Sequence, residues 1–216
     1  MIRISATDKE KAIAECRRVI TEGGVVAFPT ESFYGLGVKY DDLLALKKLN
    51  ILKHRPKDKA LPLIIGDRKV LALIVPSTGF IAEKLMKRFW PGPLTLLIPA
   101  NKDLPEFITA GSGKVAVRIP GSSFALELAG SLDFPVTATS ANISGMTPAS
   151  QPDEVIRYFG DQIDLLVDGG ETPGGKPSTI VDILDSKIEI VRKGSIPDMD
   201  IYRLVGACQR KQAGSV

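Results

Sequence analysis

The sequence predicts an α/β domain built on a mixed sheet, and two observations predict it. Over most of the chain, short apolar runs suited to buried strands alternate with segments whose apolar residues recur at helical spacing. Near the C-terminal end three apolar runs follow one another, and strands joined by short loops pair antiparallel. The chain has 216 residues, 44% apolar and 25% charged, which suits an ordinary globular protein with a sizeable core. It reads as one domain over 1–216, with its core at about 9–197 and a tail at 203–216 expected to fray.

The elements follow in order. Thr7-Asp8-Lys9-Glu10 has the form of a capping box opening a first helix, and Gly23-Gly24 is its stop. Val25 to Phe28 is a short strand. Asp41 caps a second helix, with Leu43, Leu46 and Leu49 or Leu44 and Ile51 supplying its apolar face. Leu61 to Ile65 reads as a strand. Phe80 to Phe89 reads as a helix whose Ile81, Leu85 and Phe89 stand four apart. Trp90-Pro91-Gly92-Pro93 ends it, and Leu94 to Ile98 is the next strand. Val115 to Ile119 and Val136 to Ala138 are strands on either side of a helix at Phe124 to Leu128. A further helix opens at Pro152-Asp153. Leu165 to Val167, Thr179 to Ile183 and Ile188 to Val191 are the three clustered strands.

Lys plus Arg exceed Asp plus Glu by three, a mild bias compatible with anionic ligands such as nucleotides or RNA. No apolar run is long enough to span a bilayer, and the N-terminus lacks a signal-peptide apolar core. Cys16 and Cys208 lie near opposite ends, without metal-ligand spacing. A cytoplasmic protein with free thiols, no protein metal site and no membrane partner is expected.

Gly170 to Ser178, GETPGGKPS, has the look of a phosphate-binding P-loop, because Gly170, Gly175 and Lys176 match the pattern. Pro177 stands where the magnesium-binding hydroxyl belongs. The segment also leads into an apolar strand rather than a helix, so it is not a P-loop. Any ATP binding needs another construction.

Four polar clusters follow or interrupt strands. FPTESFYGLG, 28–37, combines hydroxyls, the Glu31 carboxylate and flexible glycines, as a ligand-facing loop or a plain turn would. KHRPKDKAL, 53–61, is rich in cations that neutralise a polyphosphate or simply face solvent. Arg118 interrupts the apolar VAVRIP run, and a buried guanidinium there needs either an internal partner or a ligand. TATSANISG, 137–145, offers small donors to an anion, or forms an ordinary turn. Ser178 and Arg192 belong with these clusters. Metal sites of Cys and His, the G-x-S-x-G elbow and the dinucleotide fingerprint are all missing. The chemistry indicated is charge neutralisation and positioning around an anion.

In sequence order these clusters resemble one family. FPTESFYGLG is similar to its PTET-x-YGL segment, KHRPKDKALPL to its K-x-R-P-x-x-x-P-L segment, and WPGPLT, VAVRIP, TSANISG and VDGG with PSTIVD complete the series. The likeness to the YrdC/TsaC family of threonylcarbamoyl-AMP synthases runs from about Lys9 to about Pro197, in its short single-domain form. The resemblance implies a twisted mixed sheet around a deep, positively charged cavity. It implies a nucleotidyltransferase that joins L-threonine, bicarbonate and ATP, with Mg2+, into threonylcarbamoyl-AMP and pyrophosphate. The product serves adenosine 37 of tRNA through a separate threonylcarbamoyl-transferase complex.

Carried over by position, the resemblance places Ser32, Ile64, Arg118, Ala138 and Ser178 around threonine. ATP falls to Arg55, Lys59, Lys114, Ser140, Asn142, Pro148 and Arg192, and the catalytic positions to Lys53 and Arg55. Ser32 stands where threonine is commoner, Ala60 where proline is, and Ile64 where some members have histidine. The competing expectation is a non-catalytic protein that binds tRNA or double-stranded RNA on a basic surface. A carbamoyl-adenylate activity, as in hydrogenase-maturation proteins, is opposed by the missing zinc-finger cysteines.

Overall fold

The first helix, α1 (Lys9–Thr21), starts one residue later than its Thr7 signature: Asp8 is the cap, and its carboxylate accepts from the Lys11 N–H. The second, α2 (Leu43–Leu52), is likewise capped by Asp42 rather than Asp41, through the Leu44 and Ala45 N–H groups at 3.0 Å. Threonine and aspartate both cap helices, so the composition alone does not separate Thr7 from Asp8 or Asp41 from Asp42. The remaining helices are α3 (Phe80–Phe89), α4 (Glu106–Thr109), α5 (Phe124–Gly130), α6 (Pro152–Phe159) and α7 (Asp198–Ala213). α6 begins as expected, with Pro152 in its first turn and a reciprocal Gln151–Glu154 capping box. The computed structural model describes residues 1–184 and 187–213, with side chains through 206. Beyond Tyr202, where fraying is expected, the backbone stays helical to Ala213; residues 214–216 and the Cys208 side chain lie outside the described set.

Strands β1 (Ile2–Ser5), β2 (Val26–Pro29), β3 (Tyr34–Gly37), β8 (Thr139–Ser140) and β9 (Leu165–Asp168) form one mixed sheet, in the order β1-β9-β2-β3-β8. A second mixed sheet has the order β11-β10-β5-β6-β4-β7. It contains β4 (Leu63–Ile64), β5 (Leu94–Pro99), β6 (Lys114–Arg118), β7 (Val136–Thr137), β10 (Thr179–Leu184) and β11 (Lys187–Arg192). The mixed α/β class therefore holds, and β10 and β11 pair antiparallel as their short connection requires. β1 has no counterpart among the expected strands. Its partner is β9, where Ile2 faces Leu165 in parallel register from the far end of the chain.

α1 and α5 cover one face of the first sheet, burying Cys16, Ile20, Phe28 and Leu165 together. A larger core lies under α2, α3, α6 and α7 and contains Leu46, Leu49, Leu85, Leu96, Val117 and Phe159. The segment 136–140 joins the sheets, since Val136–Thr137 pairs with β4 in one and Thr139–Ser140 with β3 in the other. Ala138 is the crossing point. No helix among the described residues is long and apolar enough to cross a membrane.

Candidate active site

A cavity of about 500 Å³ lies where the chain crosses between the sheets. Strand ends supply its walls: Thr30, Ser32 and Phe33 from the β2–β3 connection, Tyr34 and Gly35 from β3, Ile64 from β4, Thr95 from β5 and Arg118 from β6. Ala138, Thr139 and Ser140 form the crossing side, and Ser178, Ile180 and Arg192 come from β10, its approach and the end of β11. Cross-strand register explains the grouping, because Ile64 stands beside Arg118, Thr95 beside Ile180, and Ile180 beside Arg192.

Of the residues expected at the site, Ser32, Arg55, Ile64, Arg118, Ala138, Ser140, Pro148, Ser178 and Arg192 line this one cavity. Lys53, Lys59, Lys114 and Asn142 do not. The Lys53 side chain is buried behind the wall, and its ammonium donates to the Asn142 carbonyl at 2.7 Å and to the Ser140 carbonyl. Burial, and secondarily the Arg55 charge, push its pKa down to about 7. Asn142 is buried too, accepting from the Ser140 hydroxyl at 2.6 Å and donating to the Ile143 and Met146 carbonyls. These two side chains thus brace the turn that presents Ser140. Lys59 lines a separate depression of about 250 Å³ with Asn50, Lys57, Glu106 and Phe107. Lys114 is tied to Asp182 at 2.5 Å. The solvent-facing alternative for the basic loop therefore fits Lys59, and the ligand-facing one fits Arg55.

The cavity carries three guanidinium groups, and among the described residues no carboxylate lines it. Arg55 donates to the Lys59 and Ala60 carbonyls at 2.9 and 2.6 Å, and its burial works against its charge. Arg192 donates to the Ser178 carbonyl at 2.8 Å and the Ser178 hydroxyl at 2.9 Å. Desolvation first, and then the charge of Arg118, disfavour its protonated form. Arg118 pairs with Glu31, a residue that stands just behind the lining. Such a gathering of like charges is stabilised when an anion enters it.

The Gly-rich segment 170–178 lies between β9 and β10 with no helix after it, so it is not a P-loop. It nevertheless reaches the cavity through Gly175, Pro177 and Ser178. The buried Tyr34 hydroxyl fixes its start, donating to the Gly170 carbonyl at 2.8 Å and accepting from the Gly169 N–H at 3.0 Å. Gly174 N–H then donates to the Ser32 carbonyl at 2.7 Å. Gly174 and Gly175 have φ of 68° and 91°, the left-handed region that this path requires. Thr95, whose hydroxyl lies 2.8 Å from that of Ser178, is a lining residue that sequence reasoning missed. Its signal was its place in WPGPLT.

The profile of the Sua5/YciO/YrdC family, described as telomere recombination, matches residues 18–194. The chain belongs to this family. It is 40% identical over 187 residues to a threonylcarbamoyl-AMP synthase of Pyrococcus abyssi, covering 87% of this chain and 55% of that protein. It is 37% identical over 195 residues to a threonylcarbamoyl-AMP synthase of Bacillus subtilis, covering 90% and 56%. The chain thus spans a little over half the length of these relatives. The crystal structure of P. abyssi Sua5 complexed with L-threonine superimposes with a TM-score of 0.88 at 38% identity, covering 95% of this chain and 60% of that one. As a member of the Sua5/YciO/YrdC family, the chain carries the mixed α/β fold expected from its motifs.

Proposed function

We propose that this member of the family makes threonylcarbamoyl-AMP and pyrophosphate from L-threonine, bicarbonate and ATP, for delivery by a transferase complex to tRNA. The observation that carries this reading is the single cavity, in which three arginines, the hydroxyls of Ser32, Ser140 and Ser178, and the apolar Ile64 and Ala138 converge. Ser32, Arg118 and Ser178 receive threonine in this scheme, with Ile64 and Ala138 against its methyl group. Arg55, Arg192 and Ser140 receive the ATP phosphates, beside Pro148. The fit with the P. abyssi Sua5–threonine complex supports the threonine side.

Threonine's amine forms an N–C bond with bicarbonate, water leaves, and a carbamate results. A carbamate oxygen then attacks the α-phosphorus, and the bond to the bridging oxygen breaks as pyrophosphate departs. Two anions must meet for this step, and preorganised guanidinium groups supply the neutralisation without rearranging at the moment of reaction. Lys53 and Asn142 act from behind by holding the Ser140 turn. Among the described residues, no group of three His, Cys, Asp or Glu side chains could hold a metal ion. Magnesium would accompany the ATP phosphates and neutralise their charge, and no protein ligand is assigned to it.

The deciding assay supplies the purified protein with labelled bicarbonate, ATP and magnesium, with and without L-threonine. Labelled adenylate and pyrophosphate are expected only when threonine is present. ATP bound without conversion for any amino acid would refute the synthase reading. Salt-sensitive RNA affinity without turnover would favour the RNA-binding alternative. Lys53→Ala and Arg55→Ala are expected to fold and to lose most adenylate synthesis. Near-normal turnover in both would remove the basic loop from the mechanism.

A further inference from the structure

Arg118 and Glu31 make an unusual ion pair. One guanidinium nitrogen of Arg118, Nη1, meets one carboxylate oxygen of Glu31, Oε1. The second carboxylate oxygen, Oε2, is buried and has no hydrogen-bond partner among the described residues. Arginine and carboxylate ordinarily meet as two parallel forks, which satisfies both oxygens. A pair kept for stability alone would take that form, because a buried acceptor left unpaired is costly. Here the single contact leaves the other N–H groups of Arg118 without partners among the described residues, while Arg118 itself lines the cavity.

Glu31 is held firmly enough to direct that contact. The Thr30 hydroxyl accepts from the Ser32 and Phe33 N–H groups at 3.2 and 3.3 Å and donates to the Phe33 carbonyl at 2.7 Å, locking the turn around Glu31. The neighbours on either side, Thr30 and Ser32, line the cavity. On the opposite side, the Arg118 backbone is fixed by its carbonyl, which accepts from the Ile65 N–H at 3.1 Å. Only the guanidinium orientation is left to choose, and Glu31 is the sole charged group that hydrogen-bonds to it among the described residues.

We infer that Glu31 is a positioning residue: it tethers one edge of the Arg118 guanidinium so that the free edge is aimed at the carboxylate of the substrate. The inference rests on the proposed threonine reading and extends it to a residue behind the cavity wall. Because the tether occupies one guanidinium nitrogen, Nη1, the Nε and Nη2 donors of Arg118 remain as a two-pronged set for the incoming carboxylate. Glu31 acts on the amino-acid half of the site, and its hydrogen bond reaches neither Arg55 nor Ser140.

Calorimetric titration of the full chain with L-threonine, and separately with ATP, tests this. Glu31→Gln keeps the size and one acceptor but removes the charge. It is expected to weaken threonine binding by about tenfold or more while ATP binding stays within about twofold. Arg118→Lys keeps a charge that has no fork to orient. Adding Glu31→Gln to Arg118→Lys is expected to cost less than about a further twofold in threonine affinity, because two residues acting through one contact are not additive. Unchanged threonine affinity in Glu31→Gln overturns the inference. So do parallel losses for threonine and ATP, which mark a general packing defect, and losses that multiply in the double variant. A wild-type chain that binds ATP but not threonine removes the underlying function reading instead, and the first titration shows it.

Discussion

Replacing Lys53 with methionine tests how the wall behind the cavity is built. The Lys53 ammonium is buried and donates to the Ser140 and Asn142 carbonyls, and burial drives its pKa from 10.5 down to about 7. Between those values the unfolded chain holds a proton on this side chain that the folded protein has given up. Folding stability therefore rises with pH through that window, and the penalty of burying the charge is fully present only below about pH 7. One proton of difference is worth about 1.4 kcal/mol per pH unit. With half the folded molecules already neutral at the lower end, the gain from about pH 7 to about pH 9 is roughly 2 kcal/mol. Lys53→Met lacks this term, whereas other titrations, including that of Cys16, are common to both proteins and cancel. Urea unfolding of both chains at the two pH values measures the difference. A wild-type advantage that does not grow with pH would refute the reasoning, and would mean that the two carbonyls keep the ammonium fully charged.

Other outcomes follow from the same geometry. A methyl at Gly194 would collide with the Pro177–Thr179 backbone that carries Ser178, so Gly194→Ala is expected to destabilise by about 1–3 kcal/mol and, under the proposed function, to raise KM for threonine; an unchanged melting temperature would contradict the contact. Burial pushes the Cys16 thiol up to about 12, so alkylation of Cys16 near pH 8, read by peptide mapping, is expected only after urea is added. The same shift adds stability that is complete below the ordinary value of 9.0 and lost as pH climbs toward 12. Under the proposed function, Ile64→Val is expected to narrow the preference for threonine over serine by a few-fold, out of the roughly 1–3 kcal/mol that one methyl can supply. Equal narrowing by a remote core substitution such as Leu96→Val would detach Ile64 from that role.

Local patterning made much of the fold legible. α3 spans Phe80–Phe89 as its apolar spacing requires, and α6 opens at Pro152 under its capping signals. β1 escaped because Ile2–Ser5 is largely exposed and becomes a strand only by pairing with β9. Tyr34–Gly37 reads as a flexible loop from its glycines, yet Gly37 is a strand residue with no room for a side chain, its missing Cβ facing Phe28 and Val136. The ordered motifs likewise named nine of the twenty residues that line the cavity, Ser32, Arg55, Arg118, Ser140, Ser178 and Arg192 among them. They could not say which way a side chain turns.

The sequence by itself determined the fold class, the family and the set of segments that meet at the site, because periodicity, caps and motif order are written locally. Tertiary structure alone decided that Lys53 and Asn142 brace the wall from behind, that Lys59 faces a different depression and that Lys114 is held by Asp182. It also decided that Glu31 belongs to Arg118. These assignments depend on strand register and on the crossing of 136–140 between two sheets, which set residues far apart in the chain within hydrogen-bonding distance. Register is a property of the paired strands together, and no single segment carries it.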